Sequence, residues 1–198
     1  LSIGAVLVVA AVAIVSVVLL TSGGGAHRVA TNDKYGTYPA WLPHTKLPPV
    51  NTAPRATLSH PLLNAVEGNT VLAVLPGGAE ADITAIGPTF PAWVSSSVQA
   101  GTLSDGTAVP SRFTVTVVAR RGNVPLRGSA FSILTAAGQL VHPAVTGPGG
   151  KAMPASLRAG QHLNLTVSTK LVEGEGALRW APSGSKVISA WLYQVELD

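Results

Sequence analysis

Phe113-Thr114-Val115-Thr116-Val117, and farther along Leu163-Asn164-Leu165-Thr166-Val167-Ser168, alternate apolar and hydroxyl or amide side chains without a break. Successive side chains on a strand point to opposite faces, so a period of two marks a β-strand with one face buried and one face wet. Working outward from these two segments, the same kind of signal recurs. Thr70–Leu75 (TVLAVL) is a short apolar run stopped by Pro76-Gly77-Gly78, and Ala81–Ile86 is another, stopped by Gly87-Pro88. Gly122-Asn123 marks a turn, Phe131–Leu134 reads as a strand ahead of Gly138, and Trp191, Tyr193, Val195 and Leu197 share one face at the end of the chain. Turn signals spaced roughly every 8–12 residues predict an all-β sandwich or barrel.

Helical patterns are scarce. Pro91–Ala100 predicts one short helix, with Pro91 in its first turn and Gly101 just past its end. Pro154–Leu157 predicts a further short turn, and no internal repeat is present. The expected domain runs over 57–198, and about 140 residues suffice for one self-supporting core. Its predicted members are Val71, Val74, Ile83, Phe113, Val115, Val117, Phe131, Ile133, Leu163, Leu165, Trp180, Trp191 and Tyr193. Two sheets packed face to face would bury them, because each sheet has one apolar face.

Phe113–Leu126, then Ala130–Gln139, Leu157-Arg158-Ala159-Gly160, Leu163–Val167 and Ala190-Trp191 follow one another in an order of strands and turns. In this order residues 110–197 resemble the telokin-like, immunoglobulin-type extracellular domains of membrane-anchored proteins of actinobacteria and firmicutes. The resemblance implies an immunoglobulin-like β-sandwich, exported and tied to a membrane or lipid, with adhesion, binding or accessory roles and no shared catalytic residues. Thr135-Ala136 departs from the pattern, where an acidic residue is common before the turn.

The N-terminal part has a different character. Leu1–Leu20 (LSIGAVLVVAAVAIVSVVLL) holds no charge and no proline. At about 1.5 Å per residue it spans roughly 30 Å, the thickness of a bilayer's hydrocarbon core. A signal peptide has a shorter apolar region followed by a small-residue cleavage site, and SGGGAHRVA is a poor one. The segment is therefore read as a single transmembrane helix, N-terminus inside, with the C-terminal domain outside the cytoplasm at the cell membrane. Gly4, Ala11 and Ser16 are its candidate helix-contact residues, since small side chains permit close approach; lipid-facing positions are the competing reading.

Residues 21–56 read as a linker. Gly23, Gly24 and Gly25 predict flexibility at its start, and Pro39, Pro43, Pro48, Pro49 and Pro54 predict an extended, stiff second half. Tyr35, Tyr38, Trp41 and Leu42 are more apolar than a spacer requires. Three readings remain for them: docking on a partner, an aromatic belt at the membrane surface, or folding back onto the domain.

Composition narrows the chemistry. There is no cysteine, which removes disulfides, thiol catalysis and thiolate metal sites. The net charge is +4, and Arg120-Arg121 is the only adjacent basic pair, which is not a nucleic-acid footprint. His27, His44, His60, His142 and His162 show no i, i+2 or i, i+4 ligand spacing. Glu80/Asp82 and Glu173/Glu175 would share a face on a strand, as paired carboxylates of a glycosidase do, yet both pairs lie beside glycine turns that favour solvated charges. No G-x-S-x-G elbow is present. Gly147-Pro148-Gly149-Gly150-Lys151 misses the phosphate-loop spacing and reads as a hairpin loop. Asn164-Leu165-Thr166 is a glycosylation sequon inside a strand pattern and is read as chance.

The expectation is a non-catalytic, single-pass membrane protein acting as an accessory or scaffold subunit of a membrane protein complex. It has no cofactor, no metal and no nucleic-acid partner, and other membrane subunits rather than a small molecule are its expected partners. The alternative is a stand-alone extracytoplasmic module that binds an envelope ligand or copper.

Overall fold

The computed structural model describes residues 53–104 and 106–197. The expected transmembrane helix over 1–20, its residues Gly4, Ala11 and Ser16, and the linker residues Tyr35, Tyr38, Trp41 and Leu42 lie outside them. Among the described residues no helix is long and apolar enough to cross a membrane.

The described chain is all-β apart from one helix and two short 3-10 turns. Its strands are β1 (Arg55–Ala56), β2 (Leu62–Val66), β3 (Thr70–Val74), β4 (Glu80–Thr89), β5 (Val109–Arg121), β6 (Asn123–Pro125), β7 (Phe131–Leu134), β8 (Leu140–Val141), β9 (Ala144–Thr146), β10 (Ser156–Arg158), β11 (His162–Leu171), β12 (Gly174–Trp180) and β13 (Ser189–Val195), with helix α1 (Ala92–Gln99) between β4 and β5. A six-stranded sheet has the order β1-β3-β4-β5-β11-β9, a five-stranded sheet the order β2-β13-β12-β7-β8, and β10 pairs with β6 alone. The pairing is antiparallel except at β1 with β3 and β2 with β13. The inward side chains of both large sheets, such as Phe113, Val115 and Val117 from one and Ile133, Leu178 and Trp191 from the other, belong to one continuous buried cluster. This two-sheet arrangement buries one face of each sheet.

The longest ladder joins the two segments on which the fold reading rests. β5 and β11 run antiparallel from His162 opposite Val118 to Leu171 opposite Val109. Phe113, Val115, Val117, Leu165 and Val167 are buried, while Thr114 and Asn164 face solvent. The wet face carries its own hydrogen bonds: Thr70 Oγ1 to Thr84 Oγ1 at 2.7 Å, and Thr116 Oγ1 donating to Asn164 Oδ1 at 3.0 Å. Paired hydroxyls and amides of this kind are a stable finish for a solvated sheet face.

α1 sits where Pro91 and Gly101 place it: Pro91 is its N-cap residue, and Gly101 follows the Ala100 C-cap in the left-handed region at φ +63°. Other expectations change. Pro154–Leu157 is not a turn; Ser156–Arg158 pairs with Asn123–Pro125, because Leu157 has a buried place opposite Val124. Gly87-Pro88 does not end β4. The strand resumes at Thr89 opposite Arg112 after a register shift, and this irregularity accommodates a proline that has no N–H to offer the ladder. The six-stranded sheet also takes in Arg55 and Ala56, two residues that the sequence reading placed in the linker; Ala56 is fully buried.

Of the predicted core, Val74 and Leu163 are only half-buried: Val74 stands on the outward face of β3, between the buried Ala73 and Leu75, and Leu163 lies near the start of β11. Ala73, Ala81, Ala85 and Ala119 are fully or almost fully buried and were not predicted. All four belong to strands of the six-stranded sheet, where a small inward side chain lets the large ones of the opposite sheet, Trp180 and Trp191 among them, fill the space between.

Trp180 and Ser189 face each other across the β12–β13 ladder, both fully buried. Neither Trp180 Nε1 nor Ser189 Oγ has a hydrogen-bond partner among the described residues. A buried unpaired hydroxyl costs about 1–3 kcal/mol, so Ser189→Ala is expected to stabilise the domain by about 1 kcal/mol. Urea denaturation followed by circular dichroism checks this, and a lowered midpoint would show that the hydroxyl is satisfied after all.

Candidate functional site

The outer face of the five-stranded sheet differs from that of its neighbour. Val66 lies opposite Leu192, Leu192 opposite Ala177, Ala177 opposite Leu134, and Leu134 opposite Leu140. One register row thus crosses all five strands with only apolar residues. It alternates with the inward set Trp191, Leu178 and Ile133, so it faces away from the core. Its two ends are open: Val66 is 37% and Leu140 is 51% exposed. A solvated antiparallel sheet face is ordinarily polar, as the threonine-rich face of the other sheet is.

The next row beside it is Ala190, Arg179 and Ser132. Here small side chains flank a long one, and the surface dips. A groove of about 480 Å³ opens over Ala177 and Ala190, walled by Leu58, Leu63 and Leu134 and bordered by Arg179 and Lys186. Ala177 and Ala190 are only 3% exposed although neither belongs to the core cluster. Besides Leu63 of β2 and Leu134 of β7, two connections contribute to the lining, the segment between β1 and β2 (Leu58) and that between β12 and β13 (Lys186, Val187). The volume lies within the ~300–1,000 Å³ range of small-molecule sites.

Charge is unevenly placed. The one ion pair among the described residues joins Arg120 to Asp82 on the opposite sheet, with Arg120 Nε donating to Asp82 Oδ2 at 2.6 Å. Glu80 and Asp82 share the outward face of β4, and Asp82 is engaged by Arg120. Arg179 and Lys186 have no ion-pair partner among the described residues. Glu173 is exposed and Glu175 half-buried on β12.

The remaining candidates disperse. His60, in the connection after β1, has its Nδ1 3.1 Å from Ser59 Oγ; His142 and His162 are exposed on other elements; His27 and His44 lie outside the described residues. Among the described residues no three His, Asp or Glu side chains gather into a metal-binding group. Gly147–Lys151 closes on itself, Gly147 N donating to Lys151 O at 2.8 Å. Asn164 projects from the wet face of β11, bonded to Thr116. The residues of the apolar row and the groove were missed by sequence reading. β12 shows no clean alternation in GEGALRW, and a row across strands has no signature within any one strand.

What the strands define together is an all-β, two-sheet domain. No protein-family model matches the chain, and no curated protein matches it. The telokin-like resemblance therefore stays a likeness of strand and turn order. Among solved structures, a secreted protein of Mycobacterium tuberculosis, MPT63, is similar at 15% identity and a TM-score of 0.43, over 66% of this chain and 96% of that one.

Proposed function

We propose that this chain is a non-catalytic, single-pass membrane protein whose exported β-domain serves as an accessory or scaffold subunit of a membrane protein complex. The observation that carries the reading is the apolar row Val66–Leu192–Ala177–Leu134–Leu140 on an outward sheet face. Apolar surface of this kind gains by being covered, and a protein partner covers it. The 20-residue uncharged segment at the start and the aromatic linker residues Tyr38 and Trp41 add two further points of attachment. Joining three weak contacts on one chain raises the effective concentration of each for the complex.

The test is extraction of the tagged full-length protein in mild detergent, with size-exclusion chromatography and identification of stoichiometric companions. Val66→Glu with Leu140→Glu places two charges at exposed ends of the row, where the core is untouched. This variant is expected to keep its circular dichroism and melting temperature and to lose companions at least about tenfold, a charge having been desolvated at the interface. Tyr38→Ala with Trp41→Ala is expected to weaken association further. A wild-type chain that emerges free of companions, or variants that retain them in full, would end this reading.

A further inference from the structure

We infer that the groove over Ala177 and Ala190 is a binding site for a single acyl chain carrying an anionic head, a carboxylate or a phosphate. The groove shares Ala177 and Leu134 with the apolar row, but its assignment rests on its own walls and cations and not on the accessory-subunit reading. Three observations support it.

The floor is apolar and already shielded. Ala177 and Ala190 have almost no exposed surface, and Leu58, Leu63 and Leu134 form the walls. Burying methylene groups between such walls yields about 0.8 kcal/mol each, which an all-polar ligand forgoes. The lining also carries two cations. Arg179 lies in the row between Ala190 and Ser132, two small side chains that leave its guanidinium room, and Lys186 approaches from the β12–β13 connection. Both charges lack a carboxylate partner among the described residues, so an incoming anion displaces no pair that these residues make. Finally, among the described residues no acidic side chain lines the groove. An apolar chain with a cationic head would meet two like charges, and a neutral alcohol would leave both unanswered.

A guanidinium offers a fork of N–H donors that fits carboxylate and phosphate alike, and an ammonium adds a point charge. The head group is therefore assigned by charge and the tail by the walls. The same chemistry arises from a free fatty acid or from an anionic lipid.

The experiment uses the full-length protein in phosphatidylcholine nanodiscs, a decanoate bearing a photoactivatable diazirine at the chain end, and mass spectrometry of the labelled peptides. Label is expected on the groove peptides, around Leu134, 177–179 and 186–190. Decanoate should compete about tenfold better than decanol, the margin of one charge-assisted contact, and inorganic phosphate should not compete. Arg179→Gln with Lys186→Gln, both outside the core, is expected to cut labelling about tenfold at unchanged melting temperature. With labelling established, exchange into phosphatidylglycerol nanodiscs separates the sources: reduced labelling identifies a bilayer lipid as the competitor, and unchanged labelling a free acid. Label scattered without enrichment at the groove, decanol competing as well as decanoate, or a double variant labelled as strongly as wild type would overturn the inference. None of these outcomes touches the companion assay with Val66→Glu and Leu140→Glu, so the two proposals fail separately.

Discussion

Trp191→Ala is expected to reduce the domain's unfolding free energy by about 4 kcal/mol, a large share of the roughly 5–15 kcal/mol that a folded domain holds. Trp191 is among the largest fully buried side chains, pointing inward from the middle of β13. Its register neighbours are Ala65 on β2 and Leu178 on β12, so one small residue makes room for the indole and one large residue packs beside it. Alanine leaves a cavity that two sheets, locked by their ladders, close only in part. The indole also carries a polar contact: Nε1 donates to the carbonyl of Asn69 at 3.0 Å, tying β13 to the turn between β2 and β3. Trp191→Phe isolates that bond, and its loss leaves a carbonyl with one partner fewer, for about 1 kcal/mol beyond the smaller packing change. Urea denaturation of the full-length chain, followed by far-ultraviolet circular dichroism because the substitution removes a fluorophore, measures both. A loss under about 1 kcal/mol for Trp191→Ala would mean that the two sheets are not held together through this side chain.

Gly176→Ala is expected to cost about 3 kcal/mol, a large effect for the addition of one methyl group. Gly176 lies opposite Tyr193 in the β12–β13 ladder, and the tyrosine ring lies across the glycine. A Cβ there would run into the Tyr193 ring and come within 2.7 Å of the Leu134 carbonyl oxygen. The carbonyl belongs to the backbone of β7 and does not yield. The ring is held in turn by an edge-to-face contact with Phe113 of the other sheet, centroids 5.2 Å apart at 63°. Burial of the residue pushes the Tyr193 pKa well above the ordinary tyrosine value. An aromatic laid over a strand glycine covers backbone that the glycine leaves bare, and the pair acts as a unit. In a double-mutant cycle with Tyr193→Leu, the two losses should therefore fall short of adding by at least about 0.5 kcal/mol. Gly128→Ala is the control: the nearest atom to its Cβ is 3.7 Å away on Val145, an ordinary contact, so the change should stay within about 0.5 kcal/mol. Equal effects at Gly176 and Gly128 would contradict the packing account.

Local pattern was a sound guide wherever one strand carried its own signal. Phe113–Val117 and Leu163–Val167 alternate in sequence and alternate in burial, and the partner that each needs is the other. Pro91 and Gly101 bound α1 because proline suits a first helical turn and glycine accepts the left-handed residue past the last one. The pattern failed where burial came from elsewhere. Ala73, Ala81, Ala85 and Ala119 are core because large side chains of the facing sheet come down on them, and an alanine in sequence gives no hint of that. Ser156–Arg158 is a strand because β6 is there to pair with it, not because of its own composition.

The two-residue period of β5 and β11, the turns at Gly77-Gly78, Gly122 and Gly138, the extent of α1 and the absence of cysteine chemistry follow from the sequence alone, since each depends on side chains within a few positions of one another. Which strands become neighbours was decided by the tertiary structure, and with it the parallel pairings of β1 with β3 and β2 with β13. So were the apolar row of the five-stranded sheet and the groove above Ala177 and Ala190. Val66, Leu134, Leu140, Ala177 and Leu192 are unremarkable where each stands in the chain. They make a surface only through the register of four separate strand pairings, and register is set by the burial of the opposite face.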